Sequence, residues 1–126
     1  MKGIKFIIII ILVNGVISSC YYDNREELYP YLNTNCDTLN ITFNNSIKPI
    51  LQTNCLGCHG TSSAAVSGDN QRLENYSDVR LVGENGKLFG AINHEAGYPS
   101  MPKNSGKLDD CSILIINKWI ESGFPE

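Results

Sequence analysis

The sequence predicts an all-α domain. Its last segment places Ile113, Ile116, Trp119 and Ile120 at helical spacing. Shorter stretches near residues 47–51 and 87–93 carry their apolar residues on one helical face, and no pair of segments reads as paired strands. The chain has 126 residues, which suffices for one domain, since a second independent core needs roughly 50 more.

Each element has its own signals. Asn45 or Ser46 is expected to cap a short helix in which Ile47, Ile50 and Leu51 share a face. Pro49 falls in its first turn, where a missing N–H costs little. This helix leads to Cys55. Residues 60–71, rich in Gly, Thr, Ser, Ala and Asn, read as a loop. Leu73, Tyr76, Val79 and Leu81 suggest a short helical segment near Ser77. Gly83 and Gly86 are expected to bracket a turn, followed by a helix over 87–93 with Leu88, Ala91 and Ile92 inward. For the last helix, Asp109 or Asp110 supplies the N-cap, and Gly123 with Pro125 stops the run. Trp119 reads as ordinary core packing.

The first 19 residues read as a targeting segment rather than part of the fold. Lys2 and Lys5 precede an unbroken apolar run of eight over residues 6–13. Eight helical residues reach about 12 Å, against a hydrocarbon core of ~30 Å, so this is a signal h-region and not a span. Ile17-Ser18-Ser19-Cys20 then looks like the lipobox of bacterial lipoproteins, in which the cysteine becomes the lipidated N-terminus. An ordinary cleaved signal ahead of an incidental cysteine is the competing reading. The expected layout is a lipoprotein signal peptide over 1–19, a tether over 20–35 starting at lipidated Cys20, and the domain over 36–126. Acyl chains contribute about 0.8 kcal/mol per buried CH₂, so several together anchor a protein stably to a membrane.

Removal of residues 1–19 leaves eight basic against thirteen acidic side chains, a net charge of −5. With no Lys/Arg cluster, the chain lacks the basic footprint that nucleic acid binding requires. It is also too short for the large enzyme folds. The sequons at Asn40, Asn44 and Asn75 read as chance matches beside a bacterial lipobox.

Chemistry concentrates in the cysteines. Cys55-Leu56-Gly57-Cys58-His59 is the C-x-x-C-H pattern of covalent haem attachment. Two thiols three residues apart can reach two vinyl groups of one porphyrin, and the adjacent imidazole then reaches the iron as proximal ligand. A thioredoxin-like site would need a βαβ context, which the upstream sequence lacks. Zinc would need four ligands, and His94, Cys36 and Cys111 show no second close pair. Cys36 and Cys111 remain over, and in an oxidising compartment an even remainder is most simply a disulfide, with two free thiols as the alternative.

The sixth iron position is narrowed by counting. After signal removal the chain holds one methionine, Met101, and one histidine besides His59, namely His94. Met101 stands in Tyr98-Pro99-Ser100-Met101-Pro102, a loop stiffened by proline. Its thioether would suit the distal side of a haem and raise its potential. His94 as ligand, or an open position, are the other possibilities.

These residues resemble a class I mono-haem cytochrome c, in particular the lipid-anchored single-domain c-type cytochromes of Bacteroidota. Besides the haem motif, the stretches that match are Ile47-Lys48-Pro49-Ile50-Leu51, Gly86-Lys87-Leu88-Phe89-Gly90-Ala91-Ile92, the Met101 loop, and the region from Leu108-Asp109-Asp110-Cys111 to Trp119-Ile120. The resemblance covers roughly residues 36–125. It implies a small helical cytochrome domain around one covalent haem c, with His59 and Met101 as axial ligands. It implies a carrier of single electrons between redox partner proteins rather than an enzyme, with no small-molecule substrate. It also supports a Cys36–Cys111 bridge. The expected location is the cell envelope of a Gram-negative-type bacterium, with the lipid on the periplasmic or outer-surface face. A haem-based sensor or small-ligand binder with an open or labile sixth site is the alternative. A peroxidase would want distal acid–base residues, for which only His94 is a candidate.

Overall fold

The computed structural model describes residues 36–126. The expected signal peptide over 1–19 and the expected tether from Cys20 over 20–35 lie outside the described residues.

Helix begins earlier than the polar residues at 45 and 46 suggest. The cap is Thr42, whose extended backbone (φ −131°, ψ 164°) turns its Oγ1 to accept the Asn45 N–H at 3.2 Å. The cause is Phe43. It is buried four residues ahead of fully buried Ile47, and its N–H donates to the Pro125 carbonyl at 2.9 Å. Burying this ring adds a turn to the apolar stripe. That turn, Phe43–Ile47, is a π turn, and it runs directly into helix α1, Lys48–Asn54, with Pro49 in its first turn as expected.

Five further helices follow: α2, Leu56–His59; α3, Ala64–Ser67; α4, Tyr76–Glu84; α5, Lys87–Ile92; and α6, Asp110–Glu121. Among the described residues there is no strand. The fold is all-α.

Four local expectations need correction. The loop over 60–71 contains the single turn α3, where adjacent alanines favour helix and Ala64 is buried. Gly83 lies inside α4 rather than at a turn. It is buried, and a Cβ there would stand 2.6 Å from Phe124 Cε1, so the missing side chain serves close packing. Gly86 alone turns the chain, with φ +76°. Leu81 is 63% exposed, and Val82 takes the inward place, because residues 79 and 82 share a face that residue 81 does not. In α5, Leu88 and Ile92 are buried while Ala91 is half-buried, and Asn93 caps the end instead of continuing the helix.

Helix α6 follows its sequence pattern closely. Asp109 is the N-cap, with Oδ1 accepting the Ser112 N–H at 2.9 Å and Oδ2 accepting the Ser112 hydroxyl at 2.6 Å. Hydrogen bonds from the Ser112 side chain and then its backbone hold the Asp109 carboxyl below the usual range. Ile116 and Trp119 are fully buried, while Ile113 and Ile120 are half-buried. The chain turns beyond the helix at Gly123, φ +83°.

The core forms where the first helical stretch meets α4 and α6. Phe43 lies 5.4 Å from Tyr76 and 6.0 Å from Trp119 between ring centroids, and Phe124 meets Trp119 edge-on at 5.0 Å. Such aromatic pairs add about 0.5–1.5 kcal/mol each beyond area burial. No polar or charged residue is buried among the described residues. No described helix is long and apolar enough to cross a membrane.

Candidate functional site

Helix α1 ends where the motif begins. Cys55 leaves helical geometry (φ −125°, ψ −37°) while its N–H still donates to Leu51 at 2.8 Å. The chain then makes the single turn α2, closed by His59 N–H to the Cys55 carbonyl at 2.9 Å and Gly60 N–H to Leu56 at 3.0 Å. One helical turn therefore carries Cys55, Cys58 and His59. Positions three apart on a helical turn share a side, so the spacing brings the two cysteines to one side of this turn. Both thiols are free. Cys58 is exposed and Cys55 half-buried, and burial pushes the Cys55 thiol up to about 11, so it is neutral at pH 7.

His59 is held from the segment that follows it. Its Nδ1 lies 2.9 Å from the carbonyl oxygen of Gln71. A carbonyl only accepts, so Nδ1 carries a proton, and in the neutral ring this tautomer leaves the lone pair on Nε2. The backbone is tied to the same segment: the Leu73 N–H donates to the His59 carbonyl at 2.9 Å. Next to it, the Thr61 N–H donates to Glu74 Oε2 at 2.7 Å. Hydrogen bonding from Thr61, with a smaller contribution from Lys48, lowers the Glu74 carboxyl below its ordinary value. Buried Gly68 closes the cradle. A Cβ on it would stand 2.5 Å from the Cys58 carbonyl and 2.9 Å from His59 Nδ1.

Met101 belongs to a second segment, fixed to the end of α5. Its N–H donates to the Ala91 carbonyl at 3.0 Å, and its own carbonyl accepts from His94 Nε2 at 3.0 Å. The side chain is half-buried. Tyr98 packs its ring flat on Gly90, where any Cβ would overlap it, so the loop folds back over α5. Proline stiffening alone does not shape this loop, since both peptide groups of Met101 are hydrogen-bonded. Among the described residues these bonds tie Met101 to α5 and not to the turn at 55–59.

Cys36 and Cys111 stand paired as a disulfide, Cα–Cα 5.6 Å across 75 residues. The bridge joins the chain ahead of Thr42 to the first turn of α6, which follows the Met101 segment. No three His, Cys, Asp or Glu side chains converge as a metal-ion site among the described residues.

The residues present suit a c-type haem on one structural ground. His59 has Nδ1 occupied and Nε2 available, the arrangement in which a histidine ligates iron while its other nitrogen is anchored. Gln71 and Gly68 escaped sequence reading. Gln71 acts through its backbone carbonyl, which no side-chain motif can flag. Gly68 stood in a segment read as loop from composition alone. No family model matches this chain, and no curated protein and no solved structure is significantly similar to it.

Proposed function

We propose that the protein is a lipid-anchored, mono-haem c-type cytochrome of the class I kind, transferring single electrons between partner proteins in a bacterial envelope. The reading rests above all on the His59–Gln71 hydrogen bond within a C-x-x-C-H turn, because it leaves Nε2 as a lone-pair donor beside two free thiols.

Cys55 and Cys58 would hold the haem through thioether bonds, and His59 would be the proximal ligand. Met101 is proposed as the distal ligand, on a loop whose backbone is already held at both peptide groups. A haem bound there supplies a one-electron iron couple, with a potential raised by thioether ligation. The chain's own part is to keep both ligand-bearing segments in place, so that little rearranges when charge changes. The lipobox at Cys20 and the export signal support the same picture, since c-type haem is attached outside the bacterial cytoplasm.

The test is the absorption spectrum of the purified oxidised protein. Covalent haem with the weak far-red band of methionine sulfur on ferric iron is the expected result. Met101→Ala should keep the haem and lose that band, with a lower reduction potential. Haem without the band in the wild-type protein would favour an open sixth position and ligand binding. Protein purified from a host competent in c-type haem attachment, yet free of haem, would sink the reading.

A further inference from the structure

His94 is the second histidine of the described chain, and nothing in the proposed chemistry uses it as a ligand. Its backbone has φ +56°, in the left-handed region that side-chain-bearing residues enter at a cost. Such a conformation persists only where surrounding contacts hold it. Two contacts are visible. The His94 N–H closes the end of α5 onto Ala91 at 3.3 Å, and the ring Nε2 lies 3.0 Å from the Met101 carbonyl. The carbonyl can only accept, so Nε2 carries a proton and donates. That nitrogen is therefore spent on a backbone bond and offers no lone pair to a metal.

The geometry closes a small ring. The Ala91 carbonyl accepts from Met101 N–H, and three residues beyond Ala91 the His94 side chain returns to the Met101 carbonyl. Met101 is thus gripped on both sides by one turn of chain at the end of α5. With one grip removed, the methionine's backbone pivots about the other.

We propose that His94 is a positioning residue for Met101: its ring N–H clamps the Met101 carbonyl and keeps the thioether from swinging away from a distal iron position. The proposal rests on the reading of Met101 as the distal ligand.

The test compares His94→Ala with His94→Gln in the full-length holoprotein. Both substitutions carry the same left-handed backbone cost, and only Gln restores a side-chain N–H donor, so their difference reads the clamp. Two measurements are made: amide hydrogen exchange of Met101, and titration of the ferric protein with imidazole as competing ligand. Loss of one such bond is expected to speed Met101 exchange and tighten imidazole binding, each by about fivefold to tenfold in the Ala variant. The far-red methionine band should weaken in step. The Gln variant should return toward wild type in all three.

If Ala matches wild type, or if Gln is as loose as Ala, the clamp is wrong. Should the Ala variant fail to retain haem, His94→Gly replaces it, since glycine enters this backbone region freely. The same two outcomes then decide. A wild-type protein lacking haem or the methionine band defeats the functional reading itself. A normal wild-type spectrum with an unaltered Ala variant defeats the clamp alone.

Discussion

Trp119 donates its indole N–H to the carbonyl of Pro125 at 2.8 Å, and the same oxygen accepts the Phe43 N–H at 2.9 Å. One carbonyl in the C-terminal tail thereby joins α6 to the start of the first helical stretch. Tyr76 adds α4 to this junction through its hydroxyl, which donates to the neighbouring Phe124 carbonyl at 2.7 Å. The last residues of the chain are a structural clasp.

Trp119 is therefore expected to be the most costly core position to truncate. Trp119→Ala should destabilise by about 3–5 kcal/mol, as for other fully buried aromatic residues. Trp119→Phe keeps most of the ring contact and loses the N–H, and Pro125 still accepts from Phe43. Its cost should be nearer 1–2 kcal/mol, roughly one hydrogen bond plus a small packing defect. Urea denaturation of the two variants beside wild type measures the difference, and a Trp119→Phe variant as stable as wild type would count against the clasp.

The Cys36–Cys111 bridge closes a 75-residue separation. A loop of this size is worth about 4 kcal/mol when cross-linked, on the chain-entropy account. Denaturation of the Cys36→Ser/Cys111→Ser double variant should show a loss of that order, with helix content preserved at low denaturant. An unchanged midpoint would mean the pair contributes nothing to stability.

Asp109 gives a pH-dependent contribution of known sign. Its folded-state pKa is lowered by hydrogen bonds from Ser112, so unfolding allows the group to bind a proton more readily. The stabilisation is complete above the unfolded value of about 3.9 and is lost as pH falls through the lower folded value. Asp109→Ala should cost about 1 kcal/mol at pH 7, as for other caps. Stability curves of variant and wild type should begin to converge near about pH 4 and close as pH falls through the lower folded-state value, where the native carboxyl protonates. A constant gap down to pH 2 would show that charge plays no part.

Gly68 has no room for a side chain: a methyl group would press on the Cys58 carbonyl and His59 Nδ1. Gly68→Ala is expected to cost about 1–3 kcal/mol through overpacking. On the proposed haem reading it should also lower the haem content of purified protein, because the displaced atom belongs to the ring of the proposed proximal ligand, His59. Haem per protein, from the alkaline pyridine spectrum, checks this directly. Full haem loading with unchanged stability would overturn the cradle described around His59.

Several features could be read from residue order alone because they depend on neighbours in the chain. The cap at Asp109, the inward places of Ile116 and Trp119, and the grouping of Cys55, Cys58 and His59 on one turn all arise within four residues or a short periodic run. Hydrophobic spacing and local capping are short-range physics, so sequence displays them openly. Counting Met101 as the single methionine past residue 19 needed no structure either.

Tertiary structure decided the rest. Thr42 became the cap because Phe43 has a partner in Pro125, far along the chain. Gly83 stayed helical because the Phe124 ring needs its empty face. The His59 ring is held by a carbonyl twelve residues away, and the Met101 carbonyl accepts from a histidine ring seven residues before it. Backbone carbonyls are the same at every residue, so sequence cannot mark which one becomes an acceptor. Only the packed chain selects it.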